Sequence, residues 1–139
     1  MGAKTEIPVK PYLAKYYLRT LEEYVMAKGK PQEKHYPHWD VSRRGGINLE
    51  HILPKALRNT DQVLGEWVFR LGNTVLLQAN KNAQIGSDNY VKIKSKELLK
   101  SEFVLTKEAG GKANWGPNEI TDRQQRLAKL AVEVWPVRI

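Results

Sequence analysis

Three side chains of the 139-residue chain, those of His35, His38 and His51, can exchange a proton near neutral pH, imidazole being the side chain with an ordinary pKa of about 6.5. His51 stands apart because a carboxylate precedes it. Glu50-His51 sets an oxygen ligand for a hard cation beside a proton acceptor. These are the two groups that metal-assisted attack of water on a phosphodiester calls for. Strand neighbours point to opposite faces, so the backbone has to twist or break at the pair if both are to serve one site. The competing reading of the pair alone is an exposed Glu beside a His that covers a core edge. At the end of a strand, His51 is expected to be partly exposed and to contribute little to stability.

Further polar groups follow in the order His, Asn, Asn. Asn73 comes after Leu71-Gly72, and Asn80 and Asn82 lie beyond the next apolar run. Asn73 can equally be a plain Gly-Asn turn residue tolerant of left-handed backbone. His35-Tyr36-Pro37-His38 reads as loop, because its central Pro prevents helical presentation and no cysteine or third His stands near to complete a site. Arg43-Arg44 and the run Lys92, Lys94, Lys96 and Lys100 are candidates for phosphate contact or for a merely solvated face. Trp39 and Trp115 read as packing anchors rather than base-stacking platforms.

Periodicity supplies the elements that must hold these groups. Leu13, Tyr17, Leu18, Leu21 and Val25 recur at helical spacing behind Pro8 and Pro11, and Gly29 with Pro31 ends that helix. A polar loop to Gly46 leads into Ile47–Leu53, which alternates as a strand until Pro54. Thr60 or Asp61 can cap a short helix carrying Val63, Leu64, Trp67 and Val68. Thr74–Leu77 is a second strand after the Gly72-Asn73 turn, and Ser87 or Asp88 begins a helix with Tyr90, Val91, Leu98 and Leu99 among its lysines. A Gly-rich loop through Gly110-Gly111 precedes a last helix from Pro117, faced by Ile120, Leu127, Leu130, Ala131 and Val134.

Residues 1–139 are expected to form one domain, since the length suits one modest core, and 41% hydrophobic residues with four Trp argue against wholesale disorder. Twenty-three Lys and Arg against fifteen Asp and Glu leave a net charge of +8, which favours a polyanionic partner such as nucleic acid. With no cysteine, disulfides and Cys-ligated zinc are excluded, and any metal must use His, Asn, Asp or Glu. No apolar run reaches the roughly 20 residues of a membrane span, and the start lacks a signal-peptide core, so a soluble, cytoplasmic protein is expected.

At this point the sequence resembles a known family, the C-terminal nuclease domain of GmrSD-like modification-dependent restriction enzymes, a branch of the His-Asn-His (ββα-metal) endonucleases. The likeness rests on Glu50-His51-Ile52-Leu53-Pro54, Trp67, Leu71-Gly72-Asn73 with Leu76-Leu77, and Asn82. It continues in Thr106, Trp115, Ile120, Arg123, Leu127, Ala128 and Trp135-Pro136, and in the lead-in Tyr17-Leu18-Arg19 with Leu21-Glu22. It thus runs from about Tyr12 to Pro136.

The resemblance implies an α+β fold with a ββα-metal core and additional N- and C-terminal helices. It implies a DNA endonuclease acting in restriction of foreign DNA, with His51 as general base, Glu50 as metal ligand, Asn73 as brace of the catalytic loop and Asn82 as the last motif position near the metal. Asn80 rivals Asn82, and the further Asn common in the family is replaced here by Gly86-Ser87-Asp88-Asn89. An amide oxygen at the last position suits Mg²⁺ or Mn²⁺, weakly and exchangeably held, better than tight Zn²⁺. DNA is the implied substrate, for which Arg43, Arg44, Lys55, Lys92 and Lys94 are the expected contacts. An NTPase-like N-terminal domain is the implied partner in a longer protein. The alternative is a catalytically silent nucleic-acid-binding module of the same fold.

Overall fold

A computed structural model describes residues 10–28, 46–78 and 90–135. Pro11, placed where a missing N–H costs nothing, opens the helix α1 (Pro11–Ala27), which turns Ala14, Leu18 and Leu21 inward. The strand β1 (Ile47–His51) pairs antiparallel with β2 (Thr74–Gln78), in a register running from Ile47 opposite Gln78 to His51 opposite Thr74. Alternation in the sequence carries the first strand to Leu53, but the ladder stops two residues earlier. There Asn73 captures the chain, its main-chain oxygen taking the Ile52 N–H at 2.9 Å and its side chain the Leu53 N–H at 2.8 Å.

The connection between the strands is one short helix, α2 (Leu57–Thr60), and two 3₁₀ turns, Leu64–Trp67 and Leu71–Asn73. Asp61 acts as a cap, its carboxylate accepting the N–H groups of Val63 and Leu64 at 2.9 Å each. The helix expected behind this cap is only the one 3₁₀ turn Leu64–Trp67, with Val68 buried and Val63 in solvent. Beyond β2, a π-helical turn (Tyr90–Lys94) runs into α3 (Ser95–Leu99). The segment read as a Gly-rich loop is helical from Val104 to Gly110 (α4), and α5 (Pro117–Val134) closes the fold.

A two-stranded ribbon is not stable alone, and helices cover this one on both faces. On one side Leu76 and Ile47 meet Leu18 and Leu21 of α1, Phe103, Leu105 of α4, and Leu127 and Leu130 of α5. On the other, Val75 and Leu77 meet Ile52, Tyr90, Leu98 and Ala109. Burial on both faces explains why β2 reads as a continuous apolar run rather than an alternating one. The architecture is α+β, with strand, strand and helix in the expected order. Among the described residues, no helix is long and apolar enough to cross a membrane.

Buried charges tie the helices to the ribbon. Glu22 of α1 accepts the N–H groups of Val104 and Leu105, at 2.7 and 2.9 Å, and so caps α4. Arg123 of α5 donates to the carbonyls of Leu105 and Thr74, at 2.9 and 3.0 Å, and Thr106 donates to the Leu76 carbonyl at 2.7 Å. Burial pushes the Glu22 carboxyl up, against the pull of its two backbone donors and of Arg123, and brings the Arg123 guanidinium down to about 10.

Gly72 is required by close approach. A Cβ there would lie 2.4 Å from the Ile120 carbonyl oxygen, on the rigid backbone of α5, while its N–H bonds to Gln124 Oε1 at 2.9 Å. Gly72→Ala is therefore expected to cost about 2–3 kcal/mol, as overpacking against backbone does. Urea unfolding of the two chains checks this, and a loss below about 0.5 kcal/mol would contradict the contact.

Candidate active site

The strand end, the Asn73 turn and the π-helical turn converge on Glu50 and His51. Each of these two residues is 7% exposed, although they are neighbours in a strand. The ladder puts them on opposite faces of the ribbon, Glu50 on the Val75 face beside Lys94 and His51 on the Thr74 face. His51 stands edge-on to Phe69, with ring centroids 5.4 Å apart. The partly exposed imidazole expected from its position is instead largely enclosed.

Asn73 sets the course of the chain beyond His51. Fully buried, its amide oxygen accepts from Leu53 N–H at 2.8 Å and from Trp115 Nε1 at 2.9 Å. Its amide nitrogen donates to the carbonyls of Leu53 at 3.1 Å and Val68 at 2.7 Å. These contacts use both donors and both lone pairs of the amide. Asn73 lies within a 3₁₀ turn, so the left-handed turn residue is not what the structure contains. Trp115 is a packing anchor as expected, its ring 5.5 Å from that of Tyr90, the first residue of the π-helical turn.

That turn delivers Lys94, a residue the sequence reading misplaced. Taken there as one of a run of phosphate-facing lysines, it is 1% exposed. Its ammonium donates to the carbonyl oxygens of Ile52 at 2.7 Å and His51 at 3.3 Å, and lies 3.4 Å from Glu50 Oε1. Contact with DNA phosphate is excluded at that depth. The signal was present in the chain: Tyr90, Lys94 and Leu98 are spaced i, i+4, i+8, so the stripe that buries Tyr90 and Leu98 passes through Lys94.

Of the other expected contacts, Lys55 is exposed on the turn after Pro54, close enough to act electrostatically on Glu50 and His51. Asn82, its rival Asn80, Arg43, Arg44 and the side chain of Lys92 lie outside the described residues, as do His35, His38 and Trp39. Among the described residues, no three His, Cys, Asp or Glu side chains gather as a metal site. Among the described residues the fold brings Lys94 to Glu50 and to the main-chain oxygens of His51 and Ile52, while Asn73 holds the chain at Ile52 and Leu53.

Burial pushes the Glu50 carboxyl up, while the Lys94 ammonium and, from further off, Lys55 pull it back. Burial, then Lys55 and Lys94, lowers His51 to about 4. At neutral pH the imidazole is accordingly unprotonated, the state in which it can accept a proton.

Two outcomes follow for the metal-free chain. Because the folded pKa of His51, about 4, lies below the unfolded value of 6.5, the unfolded chain binds more protons between them. This contribution to stability is complete above about pH 6.5 and is lost as pH falls towards 4. NMR titration should place the imidazole midpoint near 4, and a midpoint at 6 or above would contradict its enclosure. Asn73→Asp keeps the shape but turns both donors into acceptors facing the Leu53 and Val68 carbonyls. Denaturation should show a loss of more than about 3 kcal/mol, and a near-neutral effect would mean that the brace is dispensable.

Residues 2–130 match the family model described as GmrSD restriction endonucleases, C-terminal domain. Comparison with curated proteins and with solved structures finds no match.

Proposed function

Because the chain belongs to the family of GmrSD restriction endonuclease C-terminal domains, we propose that it is a metal-dependent DNA endonuclease of the His-Asn-His type, with His51 as its general base. The observation that carries this reading is the enclosed His51 at the end of β1, with Glu50 before it in the strand and the chain after it held by Asn73. β1, β2 and the helical segment from Tyr90 to Leu99 would then be the ββα-metal core, with α1 and α5 as the additional helices.

The donor chemistry suits a hard divalent cation. Glu50 supplies the hard oxygen donors of a carboxylate, and among the described residues its close counter-charge is Lys94 at the long distance of 3.4 Å, a contact that a cation would have to share or displace. Glu50 and Asn82 are the residues that would hold Mg²⁺ or Mn²⁺. The absence of cysteine from the chain removes the sulfur donors of a structural zinc site. When bound, such a cation supplies stabilisation of the charge that develops on the phosphate and on the leaving oxygen.

The remaining work falls to the chain. A ring nitrogen of His51 takes a proton from water as the water oxygen bonds to phosphorus, and the bond from phosphorus to the 3′ oxygen breaks. The products carry a 5′-phosphate and, once the 3′ oxygen is protonated, a 3′-hydroxyl. A pKa near 4 makes a weak base, but phosphates brought close by DNA favour the imidazolium and raise that value in the complex. Lys55, with Arg43, Arg44 and Lys92, supplies phosphate contacts for a domain of net charge +8. Restriction of foreign DNA, alongside an NTPase-like domain in a longer protein, is the setting this reading assigns to it.

His51→Ala tests the reading. Loss of a general base costs about 10²- to 10⁴-fold in rate, whereas opening the contact with Phe69 costs about 1–2 kcal/mol and leaves the chain folded. Plasmid nicking with Mg²⁺ or Mn²⁺ should thus collapse in the folded variant, and EDTA should stop the parent. Parental cleavage rates in folded His51→Ala, or undiminished cutting in excess EDTA, would remove the assignment.

A further inference from the structure

Lys94 has a place in the corner that neither the family nor the reaction assigns to it. Among the contacts of its ammonium within the described residues the distances are unequal, at 2.7 Å to the Ile52 carbonyl, 3.3 Å to the His51 carbonyl and 3.4 Å to Glu50 Oε1. The first is a strong charge-assisted bond and the last is at the limit of one. At 1% exposure no bulk water can replace either. The position is fixed from behind, since Tyr90 one turn earlier is held between the carbonyls of Ala109 and Lys112, and Ser95 donates to the Gly110 carbonyl at 2.7 Å.

We propose that Lys94 is a positioning residue that holds the Glu50 carboxylate until a divalent cation arrives, then yields it while keeping its grip on the Ile52 carbonyl. This rests on the metal-dependent reading above. Burial pushes the Glu50 carboxyl up and the ammonium pulls it partly back, which makes Lys94 the counter-charge that an arriving cation must displace. Once a cation binds Glu50, two positive centres share one carboxylate, and the long contact at 3.4 Å is the one that gives way. The bond to Ile52 persists and keeps the main chain beside His51 in place. Lys94 therefore acts as a competitor that weakens cation binding and as a tether that supports turnover.

These two actions have opposite signs, which separates them from a packing role. Lys94→Met keeps the length and loses the charge. In calorimetric titration of the metal-free chain it should bind Mn²⁺ about 3- to 10-fold more tightly, while nicking at saturating Mn²⁺ slows by about tenfold or more. Equal or weaker Mn²⁺ binding by folded Lys94→Met overturns the proposal, as does unaltered turnover. A measurement on the parent decides the case even if the variant does not fold. In ¹⁵N-edited NMR of lysine ammonium groups, Mg²⁺ should shift the Lys94 resonance and leave the exposed Lys100 unmoved. Mg²⁺ binding that leaves Lys94 unshifted overturns it equally. Should the parent cut DNA yet bind neither cation, the metal-dependent reading itself fails, and that is seen without any variant.

Discussion

The side-chain amide of Asn73 is the contact on which the rest of the corner depends. A primary amide offers two donors and two lone pairs, and here all are used inside the protein, on Leu53, Val68 and Trp115. Each partner belongs to a different part of the fold: the bend after β1, the end of the first 3₁₀ turn, and the approach to α5. Aspartate would lack the donors and leucine every bond, so the constraint selects one residue type. Through it the β1 end is bent at a fixed place, directly after the rungs that carry Glu50 and His51.

Around this knot the fold uses buried charge as ties rather than as surface. Glu22 caps α4 from α1, Arg123 clamps α4 and β2 from α5, and Lys94 reaches the β1 end from the helix after β2. Buried ionic groups are not cheap sources of stability, since desolvation consumes most of what their bonds return. They do impose direction, because a guanidinium or carboxylate with fixed backbone partners tolerates little sliding of one helix against another. The ribbon, too short to hold its own geometry, inherits it from three helices.

The electrostatic consequence is a basic domain with a neutral imidazole at its centre. Two ammonium groups of different kinds surround His51, one sealed in and one in solvent. Lys94 acts through low dielectric and resists screening, whereas Lys55 is exposed and weakens with salt. The enclosed cation organises the oxygens of the corner, and the exposed ones are available to a polyanion.

Much of this was legible in the residues themselves. Proline at helix starts, helical spacing in α1 and α5, and the apolar run of β2 specify those elements locally, because each depends on backbone preference and on one buried face. Glu50-His51 and Leu71-Gly72-Asn73 mark the candidate site through residue types whose chemistry is local. Less was legible where a partner lies far along the chain. Alternation in the sequence runs two residues past the end of β1, because that end is set by Asn73, twenty residues beyond Leu53. Helix α4 has no local start signal, because its cap comes from Glu22, more than eighty residues earlier. Glu22, Lys94 and Arg123 all fall on apolar stripes in the sequence, so their inward direction was determined there. What each charge meets once inside was decided by tertiary structure alone, since a buried ion persists only where distant backbone oxygens, N–H groups or opposite charges are delivered to it.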